Sequence, residues 1–162
     1  MRSPVAGGAS SWSFHSRVGR RQAGDTDDLA PSPGISQLPS LVSGMSGSDV
    51  AVEVNVEGDQ RALPPTVDVS AFRIVQEALT NTLKHAGASR ADVRVRYRPG
   101  ALELEIVDDG RGASAASQNS GGLGLIGMRE RAALHGGQLT AGPRSGGGFA
   151  VRATLPTSNG AT

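Results

Sequence analysis

Residues 72–85 have the sequence FRIVQEALTNTLKH, which lies within a predicted helix over residues 68–86. At about 100° per residue, one side of this helix is apolar. The residues on that side are Phe72, Val75, Leu79 and Leu83. The opposite side carries polar residues, namely Glu77, Asn81, Lys84 and His85. This pattern predicts a helix that packs its apolar side on other elements and leaves a polar face free.

The polar face has two interpretations. An amphipathic helix commonly has a solvated face, and cations near its last turn interact favourably with the helix dipole. Alternatively, the carboxylate of Glu77 and the carboxamide of Asn81, spaced i and i+4, supply the hard oxygen ligands that Mg²⁺ accepts. Lys84 is the only lysine in the chain and lies beside them. The helix alone does not decide between these interpretations.

The segments around this helix predict an α+β fold. Alternation over 50–57, 93–98, 101–106, 138–141 and 149–155 predicts strands, and shorter helical patterns occupy 35–45 and 124–135. In the hairpin around Pro99 and Gly100, we expect Arg96 opposite Glu103 and Arg94 opposite Glu105. Residues 110–122 are expected to form a loop. The result is a mostly antiparallel sheet with helices on one face, a two-layer α/β sandwich.

Two glycine-rich segments follow the hairpin. DDGRG (108–112) lies where a strand runs into a loop, and its glycines would allow a ligand to approach the backbone closely. An ordinary Asp-Gly turn would also explain it. GGLGL (121–125) opens the predicted helix, so free N–H groups there would form an anion site. Neither a Walker A loop nor a dinucleotide-binding fingerprint is present.

Taken together and in this order, the three segments resemble the ATPase domains of histidine kinases. EALTNTLKH (77–85) resembles the N box, DDGRG (108–112) the first glycine box and GLGL (122–125) the second. The sequences of two segments are similar to those of the nitrate-sensor-like subfamily, namely FRIVQEALTN (72–81) and GLIGMRER (124–131). The resemblance covers about residues 31–157 and implies the Bergerat ATPase fold, with ATP and Mg²⁺ as ligands.

The resemblance assigns the metal and phosphate contacts to the helix. It implies that Asn81 coordinates Mg²⁺ and that Glu77 positions or polarises a metal-bound water, so these two residues form the metal site and the catalytic pair. It also implies that Lys84 and His85 face phosphate oxygens.

The resemblance assigns the base and the lid to the glycine-rich segments. Asp108 would accept a hydrogen bond from the adenine amino group, with Gly110 and Gly112 allowing close approach. Residues 113–121 would form a mobile lid. As the lid closes, phosphates would meet backbone N–H groups of Gly122, Leu123, Gly124 and Leu125.

Composition limits the remaining possibilities. The chain has 162 residues, a net charge of +1 and no cysteine. These values predict no disulfide or thiolate site, no nucleic-acid partner and no membrane contact by the chain itself. We expect residues 31–157 to form a cytoplasmic domain, even if the parent kinase is anchored in the membrane. Residues 1–30 are predicted to be a disordered leader, in which residues 1–24 are either an added, non-native segment or a misassigned start, and residues 158–162 are predicted to be a tail.

The resemblance leaves three functions open. The first is the catalytic domain of a two-component sensor histidine kinase, which would act on a response regulator only indirectly, through the phosphorylated histidine. No segment before residue 31 resembles a phosphoacceptor helix. We therefore expect the accepting histidine on a separate dimerisation domain, and no activity without it. The alternatives are a serine protein kinase of the anti-sigma-factor type, which residues 127–131 (GMRER) disfavour, and a non-enzymatic nucleotide-binding module.

Overall fold

The computed structural model describes residues 10–14, 32–45, 47–85, 87–111 and 115–158, with only the backbone described at 10–14, 85 and 115–123. The strands are β1 (Ser10–Phe14), β2 (Ala51–Glu57), β3 (Arg90–Arg98), β4 (Ala101–Asp108), β5 (Gln138–Pro143) and β6 (Phe149–Pro156). A 3₁₀ turn (Ile35–Gln37) precedes the helices, which are α1 (Leu38–Gly44), α2 (Pro65–His85) and α3 (Ala115–Ala133).

These strands form one mixed sheet in the order β1-β2-β3-β4-β6-β5. β2 and β3 are parallel, because α2 carries the chain back across the sheet between them. All the other neighbouring pairs are antiparallel. The predicted α+β sandwich with a mostly antiparallel sheet is therefore confirmed.

One face of the sheet is apolar and is covered by the helices. Alternate residues of β2, β3, β4 and β6 are buried there together with the apolar side of α2. The predicted apolar stripe of α2 is confirmed for Phe72, Val75 and Leu79, which are all buried. A hydrogen bond of 2.8 Å between Ser70 Oγ and His135 Nε2 joins the first half of α2 to the chain just after α3. Within the described ranges, no helix combines the length and the apolar character needed to span a bilayer.

The other face of the sheet is charged, and it confirms the predicted register of the β3–β4 hairpin. Arg94 lies opposite Glu105 and Arg96 opposite Glu103. Arg94 Nη1 is 3.2 Å from Glu105 Oε1, as expected for directly opposed residues. Arg96 instead bonds to Glu57 of the neighbouring strand, at 3.2 Å. Long arginine side chains reach diagonal neighbours as readily as opposite ones, so register and ion pairing need not coincide.

The start of α2 differs from the prediction. The helix begins at Pro65, which suits the first helical position because proline has no N–H group to leave unpaired there. The predicted helix began at Asp68, but this residue lies inside the first turn of α2. Its Oδ1 accepts a hydrogen bond of 2.8 Å from the N–H of Ile35 and so ties the 3₁₀ turn to α2.

The predicted disordered leader is wrong for residues Ser10–Phe14. These residues form β1, which pairs antiparallel with β2 from Ser10 opposite Val56 to Phe14 opposite Val52. Without β1, this edge of β2 would present unpaired backbone groups, which favours the addition of a strand. The rest of the predicted leader, residues 1–9 and 15–30, lies outside the described residues. The domain limits at residues 31 and 157 stay predictions.

The predicted loop over 110–122 is also wrong in part, because α3 begins at Ala115 rather than near Gly124. Glycines 121, 122 and 124 have low helix propensity, which explains the misplaced start. Met128 and Ala132 of α3 are completely buried in the core cluster. This packing stabilises the helix beyond what the local sequence predicts, since tertiary contacts commonly override propensity.

Candidate functional site

Two side-chain contacts bring the three sequence motifs together. Gly124 of α3 lies against Glu77 of α2, so closely that an added Cβ would be 3.3 Å from Glu77 Cδ and nearer still to its Oε1. Thr82, the residue after Asn81, lies beside Asp108 at the end of β4, with 3.2 Å between Oγ1 and Oδ2. The polar part of α2 is thus flanked by the second glycine segment on one side and by Asp108 on the other.

Asp108 is buried, with an exposed fraction of 5%, and its carboxylate is held in place. Oδ1 accepts hydrogen bonds from the N–H of Gly110 at 2.9 Å and from the N–H of Phe149 at 3.3 Å. Oδ2 accepts from Thr82. An ionised carboxylate offers about four acceptor positions, so Oδ2 retains capacity for a further donor. Asp108 can therefore present an acceptor to a ligand without leaving its own partners.

The neighbouring Asp109 contacts the start of β3 rather than α2. Its carboxylate accepts hydrogen bonds from Ser89 Oγ at 2.6 Å, from Ser89 N at 2.8 Å and from Arg90 N at 2.9 Å. The hydroxyl of Ser89 contributes most to holding the pKa of Asp109 below its usual value, followed by the N–H of Arg90. Asp109 thus fixes the start of β3 against the end of β4, while Asp108 is the one turned to the helix.

The predicted metal and phosphate residues lie along α2. Glu77 and Asn81 are partly buried, and Lys84 is exposed. His85 ends the helix, and its side chain lies outside the described residues. Among the residues that the structure describes, no three acidic or histidine side chains form a ready-made metal cluster. The oxygens available to a cation are those of one carboxylate and one carboxamide.

The glycine-rich segments are placed unequally. Gly110 is buried and donates to Asp108, whereas Gly112 lies outside the described residues. The backbone of Gly122 to Leu125 is inside α3 rather than at its start. Only the first four N–H groups of a helix lack an intrahelical acceptor, so these N–H groups are not free in this conformation. The prediction that Gly122, Leu123, Gly124 and Leu125 begin a helix is wrong, and their phosphate contact stays a prediction.

Thr82 is a candidate site residue that the sequence-based prediction missed. It is as deeply buried as Asp108, and the two are the buried polar residues of the described core. On the helical wheel of α2, with Glu77 at zero, Thr82 falls near 140°, next to Val75 near 160°. A polar residue at the border of an apolar stripe was the signal that could have identified it.

Comparison with known proteins points to one family. The model of the histidine kinase-, DNA gyrase B- and HSP90-like ATPases matches residues 66–159. The sensor histidine kinase LnrJ of Bacillus subtilis (strain 168) is 33% identical over 129 residues, which are 75% of this chain and 32% of LnrJ. The signal transduction histidine-protein kinase/phosphatase DegS of Brevibacillus brevis is 31% identical over 130 residues, 80% of this chain and 33% of DegS. The chain spans about a third of the length of these curated relatives.

Solved structures agree with this assignment. The Erythrobacter litoralis EL346 blue-light activated histidine kinase matches with a TM-score of 0.59 at 29% identity, over 78% of this chain and 42% of that protein. The ATP binding domain of PrrB from Mycobacterium tuberculosis has the same fold, with a TM-score of 0.56 at 22% identity, over 76% of this chain and 93% of that domain. The chain therefore belongs to the histidine kinase-, DNA gyrase B- and HSP90-like ATPase family, as an ATP-binding domain of the sensor histidine kinase type.

Proposed function

We propose that this chain binds Mg²⁺–ATP as the catalytic domain of a two-component sensor histidine kinase and passes the γ-phosphoryl group to a histidine on a dimerisation domain. The observation that carries this proposal is the pair of contacts that joins the three motifs, Glu77 with Gly124 and Thr82 with Asp108. These contacts support the proposal because they bring Asp108, the proposed acceptor for the base, and Glu77, a proposed oxygen ligand for the cation, to the same stretch of α2.

The donor set of α2 fits Mg²⁺. This ion usually keeps several waters and takes one or two protein oxygens together with substrate phosphates, rather than an all-protein cage. Asn81 would supply a carboxamide oxygen directly, and Glu77 would hold a metal-bound water. Bound there, Mg²⁺ would neutralise phosphate charge. Lys84, exposed at the end of α2, would add a positive charge beside the phosphates.

The accepting histidine is proposed to come from another domain. In the transfer, the bond from the γ-phosphorus to the bridging oxygen breaks, a nitrogen–phosphorus bond forms on the imidazole, and ADP leaves. His135 of this chain is hydrogen-bonded to Ser70. It follows the C-terminal end of α3, away from Gly124. A docked histidine would provide the effective concentration that such a transfer needs.

Calorimetry with the purified chain tests nucleotide binding. We expect ATP to bind in the presence of Mg²⁺ and GTP to bind poorly, because GTP presents a carbonyl where Asp108 needs a donor. Asn81→Ala should weaken Mg²⁺–ATP by at least about tenfold, a loss found even for outer-shell metal partners. Asn55→Ala, on the charged, partly exposed face of β2, is the matched control and should change nothing. Equal affinities for ATP and GTP, or an unaffected Asn81→Ala variant, would contradict the proposal.

Radiolabelled ATP tests the transfer. The chain alone is expected to bind ATP without acquiring an acid-labile, base-stable phosphate. Adding the purified dimerisation domain of the cognate kinase should produce that phosphate on the added partner. Label on this chain in the absence of any partner would refute the assignment of the histidine to a separate domain.

A further inference from the structure

Thr82 occupies an unusual position between α2 and the base-binding carboxylate. Its Oγ1 is 3.2 Å from Asp108 Oδ2 and 3.1 Å from the carbonyl oxygen of Ala78, one turn earlier in α2. Both Thr82 and Asp108 are buried, so water competes poorly for these bonds. Thr82 is the donor that the described residues bring to Oδ2, whereas two backbone N–H groups already hold Oδ1.

The hydroxyl of Thr82 has one proton and two acceptors within reach. A hydrogen bond to an ionised carboxylate is roughly twice as strong as one to a neutral carbonyl. If the proton pointed to Ala78, oxygen lone pairs of Thr82 would face the negative Oδ2 at close range. The proton is therefore directed to Asp108, and it fixes Oδ2 on the side of the helix.

We propose that Thr82 is a specificity-determining residue of the nucleotide site, which orients Asp108 Oδ2 towards the exocyclic amino group of adenine. This inference rests on the proposed ATP-binding function and refines it. Without the Thr82 hydroxyl, the carboxylate keeps its two backbone donors on Oδ1 but loses the partner that fixes Oδ2. The ligand's amino group would then meet a less ordered acceptor.

If Thr82 had a purely structural role, its substitution would weaken the binding of all nucleotides equally. Comparing two nucleotides, one with and one without the amino group, therefore distinguishes this role from the proposed one. Purine riboside 5′-triphosphate has the ring and phosphates of ATP but lacks the amino group. Thr82→Val keeps the shape and removes the hydroxyl. We expect this variant to bind ATP roughly three- to tenfold more weakly, which is the value of one hydrogen bond. Its affinity for purine riboside triphosphate should change by less than about twofold, and Thr82→Ser should restore ATP binding.

Thr80→Val is the matched control. Thr80 is on the same helix and its Oγ1 also bonds to a carbonyl one turn earlier, that of Gln76, at 2.8 Å, but it does not contact Asp108. This variant should bind both nucleotides like the wild type. Thermal unfolding of each variant checks the fold, and Thr82→Ala replaces Thr82→Val if valine prevents folding.

Equal losses for the two nucleotides in Thr82→Val would overturn the inference, since the residue would then act only on the fold. Unchanged ATP affinity would overturn it as well. Failure of the proposed function gives a different result. In that case the wild-type chain would itself bind ATP no better than purine riboside triphosphate, or would bind neither.

Discussion

Gly148 offers a sharp test of how the proposed base pocket around Asp108 is built. It lies just before β6 with a φ of +88°, and a Cβ at this position would lie 3.0 Å from the carbonyl carbon of Asp108 and closer still to its oxygen. Gly146, in the same turn, has a φ of +93° with nothing within 4 Å of an added Cβ. Alanine at either position must adopt an unfavourable φ, which costs about 1–2 kcal/mol. Only alanine at Gly148 must also displace backbone.

The displacement should loosen the bond of 3.3 Å from Phe149 N to Asp108 Oδ1. Losing it adds about 0.5–1.5 kcal/mol to the cost of the unfavourable φ, so Gly148→Ala should destabilise the domain by about 1.5–3.5 kcal/mol. This corresponds to a fall in Tm of about 3–14 °C, against about 2–8 °C for Gly146→Ala. Thermal unfolding measures both values, and calorimetry should show weaker ATP binding in Gly148→Ala alone. If the two variants lose equal stability and bind ATP equally, the close contact between Gly148 and Asp108 does not shape the pocket.

Three further perturbations follow from the structure. The hydrogen bond from Arg152 holds the pKa of Glu105 below its ordinary 4.5. The ionised carboxylate of Glu105 therefore stabilises the folded state fully above pH 4.5, and this stabilisation is lost as the pH falls through the lowered pKa. Glu105→Gln should therefore be less stable than the wild type in urea at about pH 6, with a smaller difference at about pH 3, and a constant difference would exclude the linkage. Gly124→Ala should keep or raise Tm, because alanine has a higher helix propensity than glycine. It should weaken the binding of Mg²⁺–ATP, because the added Cβ forces Glu77 to move. An unchanged affinity would show that this movement of Glu77 does not affect binding. Deleting residues 1–14 removes β1 and should lower Tm by several degrees without altering ATP affinity, whereas an unchanged Tm would show that β1 adds no stability.

The elements that the sequence predicted well have strong periodic patterns. The alternation of charged and aliphatic residues along β3 and β4 determines which face is buried, and a shift of one residue would reverse it. The register that places Arg94 opposite Glu105 was therefore predictable. The apolar stripe of α2 was predictable for the same reason, since its period matches the helix.

The elements that were missed depend on contacts that a local pattern does not contain. β1 has only a short alternating signal, in which serines alternate with Trp12 and Phe14, and it forms against the free edge of β2. The first turns of α3 contain three glycines, yet they are helical in a helix whose later residues Met128 and Ala132 are buried in the core. Within the site, the motif predicted Asp108, but the contact with Thr82 follows only from the packing of α2 against β4.

The position of the second glycine segment inside α3 bears on how a nucleotide could use it. For the N–H groups of Gly122 to Leu125 to bind phosphate as predicted, the first turns of α3 must unwind, because helical N–H groups already donate hydrogen bonds within the helix. Each glycine destabilises a helix interior by about 1 kcal/mol relative to alanine, so glycines 121, 122 and 124 lower the cost of unwinding. Gly124 also allows the close contact with Glu77. The glycines that weaken the first turns of α3 would therefore also ease the unwinding that phosphate binding requires.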